Sequence, residues 1–205
     1  MPGVPLAQEI FMCLNEKDMN KPIGSGISRR GLIRLGLITA AACVVPYKAL
    51  ASVEDILSTE RKLCFYNLHT EENLEAVYWK DGKYVPQALT SINHIFRDHY
   101  TGAVRPIDQK LIDLLFEIKI TLDDDEPFQI ISAYRTPKTN AYLRRHQKGV
   151  ARNSLHMQGK AVDIRLPDRR LIDLRRAAFK MKAGGVGYYV KSNFVHIDVG
   201  RVRYW

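Results

Sequence analysis

The sequence predicts an α+β fold, a small antiparallel sheet flanked by helices, and three observations carry that prediction. Short β-prone runs carry hairpin signals, amphipathic helical stripes are interleaved with them, and no internal repeat or low-complexity block breaks the series. The first strands are KLCFYNL at 62–68 and EAVYW at 75–79. The second leads through Asp81-Gly82 into Tyr84 and Val85, a dipeptide suited to a tight hairpin. Two helices follow. Leu89, Ile92 and Phe96 recur at helical spacing, as do Leu111, Leu114, Leu115 and Ile118 behind Asp108 as N-cap. FQIISAY at 128–134 reads as a strand, and Thr136-Pro137 opens a third, more polar helix running to about Gln147, with proline in the first helical position. VDIRL at 162–166 alternates as a strand. Asp168 is expected to cap a helix whose Leu171, Leu174, Ala178 and Met181 face inward, and Gly184-Gly185 to end it. Two strands, VGYYV and NFVHIDV, close the chain around Lys191-Ser192-Asn193.

The formal charge of the 205 residues is +9, but part of it lies in a segment with the layout of an export signal. SRRGLIR at 28–34 precedes the apolar run LGLITAAACVV and a small-x-small site at Ala49-Leu50-Ala51. Arg29 and Arg30 resemble the pair of a twin-arginine signal, with Leu32 where that pattern prefers phenylalanine. The competing readings are a retained anchoring helix and a lipoprotein site at Cys43; Met19 is a second candidate start, since the residues before it add nothing a signal needs. The expected division is therefore a signal region, 1–51, and one domain, 52–205. Removing the signal takes away six basic and three acidic residues and leaves +6 on 154 residues. That excess suits an anionic polymer outside the cytoplasm and argues against nucleic acid as partner. Of the three cysteines only Cys64 would remain, so no intrachain disulfide is possible and stability must come from packing or metal.

The segment SLHMQGKAVDIR, 154–165, carries the chemistry. His156 and Asp163 are separated by Gly159, which speaks for a turn followed by a strand instead of one helix. In FVHID, Phe194, His196 and Asp198 point to one side of a strand while Val195 and Ile197 point to the other. Two imidazoles and a carboxylate are a common set for a catalytic zinc whose fourth position is open to water, and His156, Asp163 and His196 supply that set. Manganese or iron can use the same ligand types. His69, His94, His99 and His146 read as surface or packing positions. Of Tyr188 and Tyr189, one is expected in the core and one at the edge of a groove.

Ser154, His156, Gly159, Ala161 and Asp163, followed by the carboxyl-terminal strand with His196 and Asp198, resemble the zinc peptidases that include D-Ala-D-Ala peptidases and share a fold with the hedgehog signalling domain. From YNLHT through GGVGYY and FVHIDVG to RYW, the chain resembles the murein endopeptidase K subfamily of periplasmic enzymes. That resemblance implies zinc, peptidoglycan peptide cross-links as substrate, and a periplasmic location. A monomer is expected, with no nucleic acid and no membrane contact beyond an uncleaved signal. A D-alanyl carboxypeptidase and a non-catalytic zinc-containing wall-binding module are the alternatives. Arg135, in SAYRT, matches the arginine that in relatives steadies negative charge, and Ser132, Tyr134 and Ser154 are candidate substrate contacts. Relatives often carry a glutamate base two residues before the second histidine ligand; here Phe194 stands there, leaving Asp198 as either the base or a residue that orients a ligand.

Overall fold

The computed structural model describes residues 60–205, so the signal region and its two cysteines lie outside the described residues. Strands β1 (Glu60–Asn67) and β2 (Asn73–Lys80) pair antiparallel, burying Leu63 and Phe65 of the first and Ala76 and Tyr78 of the second. Asp81 and Gly82 both take positive φ, the twist that a two-residue hairpin needs, and hand the chain to β3 (Lys83–Tyr84). Val85 is extended and Pro86 starts helix α1 (Pro86–Ile95), where a missing N–H costs nothing. Helix α2 (Gln109–Leu122) is capped by the Asp108 side chain, which accepts from the Lys110 amide at 3.0 Å.

Strand β4 (Phe128–Ser132) then lies parallel to β1, and helix α3 (Pro137–His146) starts behind Thr136, whose hydroxyl accepts from the Thr139 amide. A single 3₁₀ turn (Leu155–Gln158), β5 (Ala161–Arg165), helix α4 (Leu171–Met181), β6 (Gly185–Tyr189), β7 (Phe194–Asp198) and β8 (Arg203–Tyr204) complete the described residues. All strands join one eight-stranded sheet in the order β3-β2-β1-β4-β5-β7-β6-β8. It is larger than the expected small sheet, and mixed: β1–β4 and β6–β8 are parallel and the other pairs antiparallel. The extra strands β3 and β8 are two residues long, too short to leave a period in the sequence.

Helix α4 also departs from expectation. It begins after Arg170, not at a cap by Asp168, because Arg170 and Asp173 close the first turn with paired bonds of 2.8 and 3.0 Å. It ends at Lys182 in the left-handed conformation, and Gly185 instead starts β6.

One face of the sheet meets α1, α2 and α4. Phe65 and Phe96 pack edge to face at 5.0 Å between centroids, and Ile92, Leu111, Ile112, Leu115, Ile130, Ile164, Val195 and Ile197 fill the rest of a continuous core. With Val162, Ile164, Val195 and Ile197 committed to that core, strand alternation sends Asp163, His196 and Asp198 to the opposite face.

Candidate metal centre

Register brings two of the three candidate ligands side by side. Asp163 on β5 pairs with His196 on β7, and directly opposed residues of an antiparallel pair have neighbouring side chains. His156 arrives from the 3₁₀ turn. Ser154 caps that turn by accepting from the His156 amide at 3.3 Å, and Gly159 ends it at φ +69°. The glycine is required twice over: its φ is left-handed, and a Cβ there would lie 2.5 Å from the Pro106 carbonyl oxygen. Its own carbonyl accepts from the Asp108 amide at 2.9 Å, which ties the turn to the start of α2.

The three ligand atoms converge. His156 Nε2 lies 3.2 Å from His196 Nδ1, and Asp163 Oδ1 lies 3.3 Å from the first and 2.8 Å from the second. A backbone carbonyl only accepts, so His156 Nδ1 donates to Ala133 O at 2.6 Å and its Nε2 keeps a lone pair. His196 Nε2 donates to Asp198 Oδ2 at 3.0 Å, which leaves Nδ1 free to turn its lone pair inward. Two nitrogen lone pairs and a carboxylate oxygen therefore meet in one buried spot. An ion bound tetrahedrally at about 2.0–2.1 Å spans ligand edges of about 3.3 Å, so the donor set fits a small divalent cation.

The electrostatics agree. Burial pushes the His156 imidazole down, keeping it neutral and able to ligate. Burial pulls His196 down too, but Asp163 and Asp198 overcome it and raise the ring to about 9. Burial opposes ionisation of Asp163, yet the facing imidazoles hold it far below the usual carboxylate range. Arg135 Nη2 donates to its other oxygen at 2.7 Å, while Arg135 Nε donates to Ser132 Oγ at 2.8 Å.

Asp198 is fully buried and its oxygens are spoken for: His196, the amides of Gly185 and Gly200, and both terminal nitrogens of Arg203 donate to it. Burial would raise it, but those bonds hold it far below the ordinary carboxylate range.

The centre opens into a cavity of about 370 Å³. Ser132, Arg135, Ser154, His156, Asp163 and His196 all line it, whereas Asp198 and Tyr134 do not. Tyr134, expected as a substrate contact, is placed away from this cavity. Strand β4 ends at Ser132, alternation stops there, and the Tyr134 ring turns into the core with its amide bound to Phe96 O at 2.9 Å.

Residues that sequence reasoning did not place at the site line the same cavity: His69, His99, Tyr100 and Trp205. Phe194 lines it too. His69 comes from the β1–β2 connection and His99 from the segment after α1, and neither belongs to a periodic run. Tyr188 packs on the core and Tyr189 on the cavity, as expected of the pair. His94 is exposed, 3.8 Å from Glu72, and takes no part in the core.

The chain matches, over residues 56–205, the family described as peptidoglycan L,D-endopeptidase MepK. The protein of that name from Escherichia coli (strain K12) is 41% identical over 180 residues, covering 87% of this chain and 97% of its own length. A probable peptidoglycan L,D-endopeptidase MepK from Haemophilus influenzae is 35% identical over 179 residues, covering 87% of this chain and 95% of its own.

Proposed function

Because the chain belongs to the peptidoglycan L,D-endopeptidase family, we propose that it is a zinc-dependent murein endopeptidase that hydrolyses peptide cross-links of the cell wall. Its relatives are named L,D-endopeptidases, so an L,D peptide bond is the one it would cut. Residues 52–205 form the catalytic domain in this reading, and 1–51 an export signal of twin-arginine type that delivers it to the periplasm. Among the described residues no helix is long and apolar enough to cross a membrane.

The observation that carries the reading is the meeting of His156 Nε2, His196 Nδ1 and Asp163 Oδ1, with each ring's other nitrogen tied back to the protein. These atoms would hold the ion. Two imidazoles and a carboxylate at tetrahedral spacing favour zinc over metals that prefer six ligands. When bound, zinc supplies a Lewis acid that polarises the scissile carbonyl and acidifies water.

The remaining roles belong to the chain. Asp198 fixes the His196 tautomer and ring angle, the orienting alternative of the two open to it, since none of its oxygens is free to accept a proton from the cavity. Arg135 holds Asp163 by one oxygen, and its fixed positive charge at the cavity wall steadies negative charge growing on the carbonyl oxygen. Ser132 and Ser154 offer hydroxyls along the same wall.

Incubating the full chain with purified sacculi, with and without chelator, and weighing the products tests the proposal. The expected result is conversion of L,D-cross-linked dimers to monomers, stopped by chelator and restored by zinc. Loss of a single alanine from monomeric stems would point to a carboxypeptidase instead, and an inert zinc-loaded chain would leave only a binding role.

A further inference from the structure

Amide hydrolysis needs a group that takes a proton from water and passes one to the departing amine. The residues around the centre leave few candidates. Asp163 is engaged by His156, His196 and Arg135, Asp198 is saturated and outside the cavity, and Phe194 bears no exchangeable proton. Among the described residues lining the cavity, no other aspartate and no glutamate is present. Imidazole is the side chain that exchanges protons near neutrality, and two imidazoles outside the ligand set line this cavity.

These are His69 and His99, stacked at 3.8 Å between centroids with their planes 9° apart. The stack is anchored at one end. His69 Nε2 donates to the Ile131 carbonyl at 2.9 Å, beside cavity-lining Ser132, and the His69 amide donates to Asn67 Oδ1 at 2.9 Å. His99 packs on Tyr100 at 4.4 Å, and among the described residues neither of its ring nitrogens has a hydrogen-bond partner. A fixed ring thus holds a second ring whose nitrogens are free to act.

We infer that the stacked His69–His99 pair is the proton-transfer unit of this site, with His99 as the general base and acid and His69 as the residue that positions it. The inference rests on the endopeptidase reading above. Water gives one proton to a His99 nitrogen as its oxygen bonds to the carbonyl carbon. When the C–N bond breaks, that proton goes to the amine nitrogen, so acid and amine leave and the ring is neutral again.

The charged surroundings favour this cycle. Burial and then the neighbouring His69 push His99 below the ordinary imidazole range; Asp98 pulls it upward and Arg135 pushes it down again. Those surroundings favour the unprotonated ring, the form a base needs.

The test compares the zinc-loaded full chain with His99→Gln and His69→Gln, measuring metal per chain, circular dichroism and the pH profile of kcat on an L,D-cross-linked muropeptide dimer. In His99→Gln, kcat is expected to fall roughly a hundredfold or more with metal content intact, and the acid limb of the profile to vanish. In His69→Gln the acid limb is expected to move to higher pH, because a neighbour that lowers His99 is gone. Imidazole nitrogen NMR of His99 should show the same upward shift without reference to activity. Unchanged kcat and profile in His99→Gln overturn the inference, as does a loss that tracks loss of metal. If the wild-type chain itself cleaves nothing, the endopeptidase reading falls and this inference with it. An active wild type with an equally active His99→Gln removes this inference alone.

Discussion

Asp198 and His99 are opposite cases of a polar side chain near one centre. Asp198 has every oxygen occupied and a strong bias toward ionisation, and in the proposed function its part is to hold His196 in place. Replacing it with asparagine puts an amide where those donors converge, turning one or more hydrogen bonds into a clash of N–H groups. Asp198→Asn is expected to weaken metal retention by roughly ten- to a hundredfold, with activity recovered in excess zinc. A residue acting as base would instead lose kcat at full metal occupancy, and titrating zinc against activity tells the two apart. Asp198 and its neighbour His196 were legible because two residues apart on a strand share a face, a rule that needs no tertiary knowledge. His69 and His99 were not legible. They lie 30 positions apart in irregular segments, and only the packing of those segments beside β4 makes them a pair.

At the level of elements, the small strand β8 does more than extend the sheet. It leads into Trp205, whose amide donates to Val186 O at 3.2 Å and whose carbonyl accepts from the Tyr188 amide at 2.9 Å. The indole N–H donates to Tyr189 Oη at 2.8 Å, and the ring lies 5.3 Å from the His196 ring. This seat exists because Gly187, paired with His196 across β6 and β7, has no side chain: a Cβ there would come within 2.7 Å of the indole. Gly187→Ala is expected to displace the indole and lower kcat/KM by roughly tenfold or more while metal content holds. Tryptophan emission should shift as Trp205 moves, with Trp79 as an internal constant. Unchanged emission and kinetics would show that the indole is not part of the site. The long helices were readable from their stripes. The Trp205 seat was not, because strand order and the pairing of β6 with β8 are set by contacts between distant segments.

Across the described residues, the eight-stranded sheet separates stability from chemistry. Its apolar face carries the helices and the core, and its other face carries Asp163, His196 and Asp198. Placing these buried polar groups so close together is costly unless each is paired, and each is paired here. The candidate ligand pattern was visible in the sequence since His156 and Asp163 flank one turn and strand. The third candidate, His196, needed only the pairing of β5 with β7 to reach them. Under the proposed function, the positive charge of the chain would favour approach to an anionic wall polymer. The most direct test is elemental analysis of the purified full chain beside His156→Ala, read together with muropeptide cleavage. The account predicts about one zinc per wild-type chain, and little metal and no cleavage in the variant. A wild-type chain that cleaves while free of bound metal, or a His156→Ala chain that keeps both zinc and activity, would contradict it.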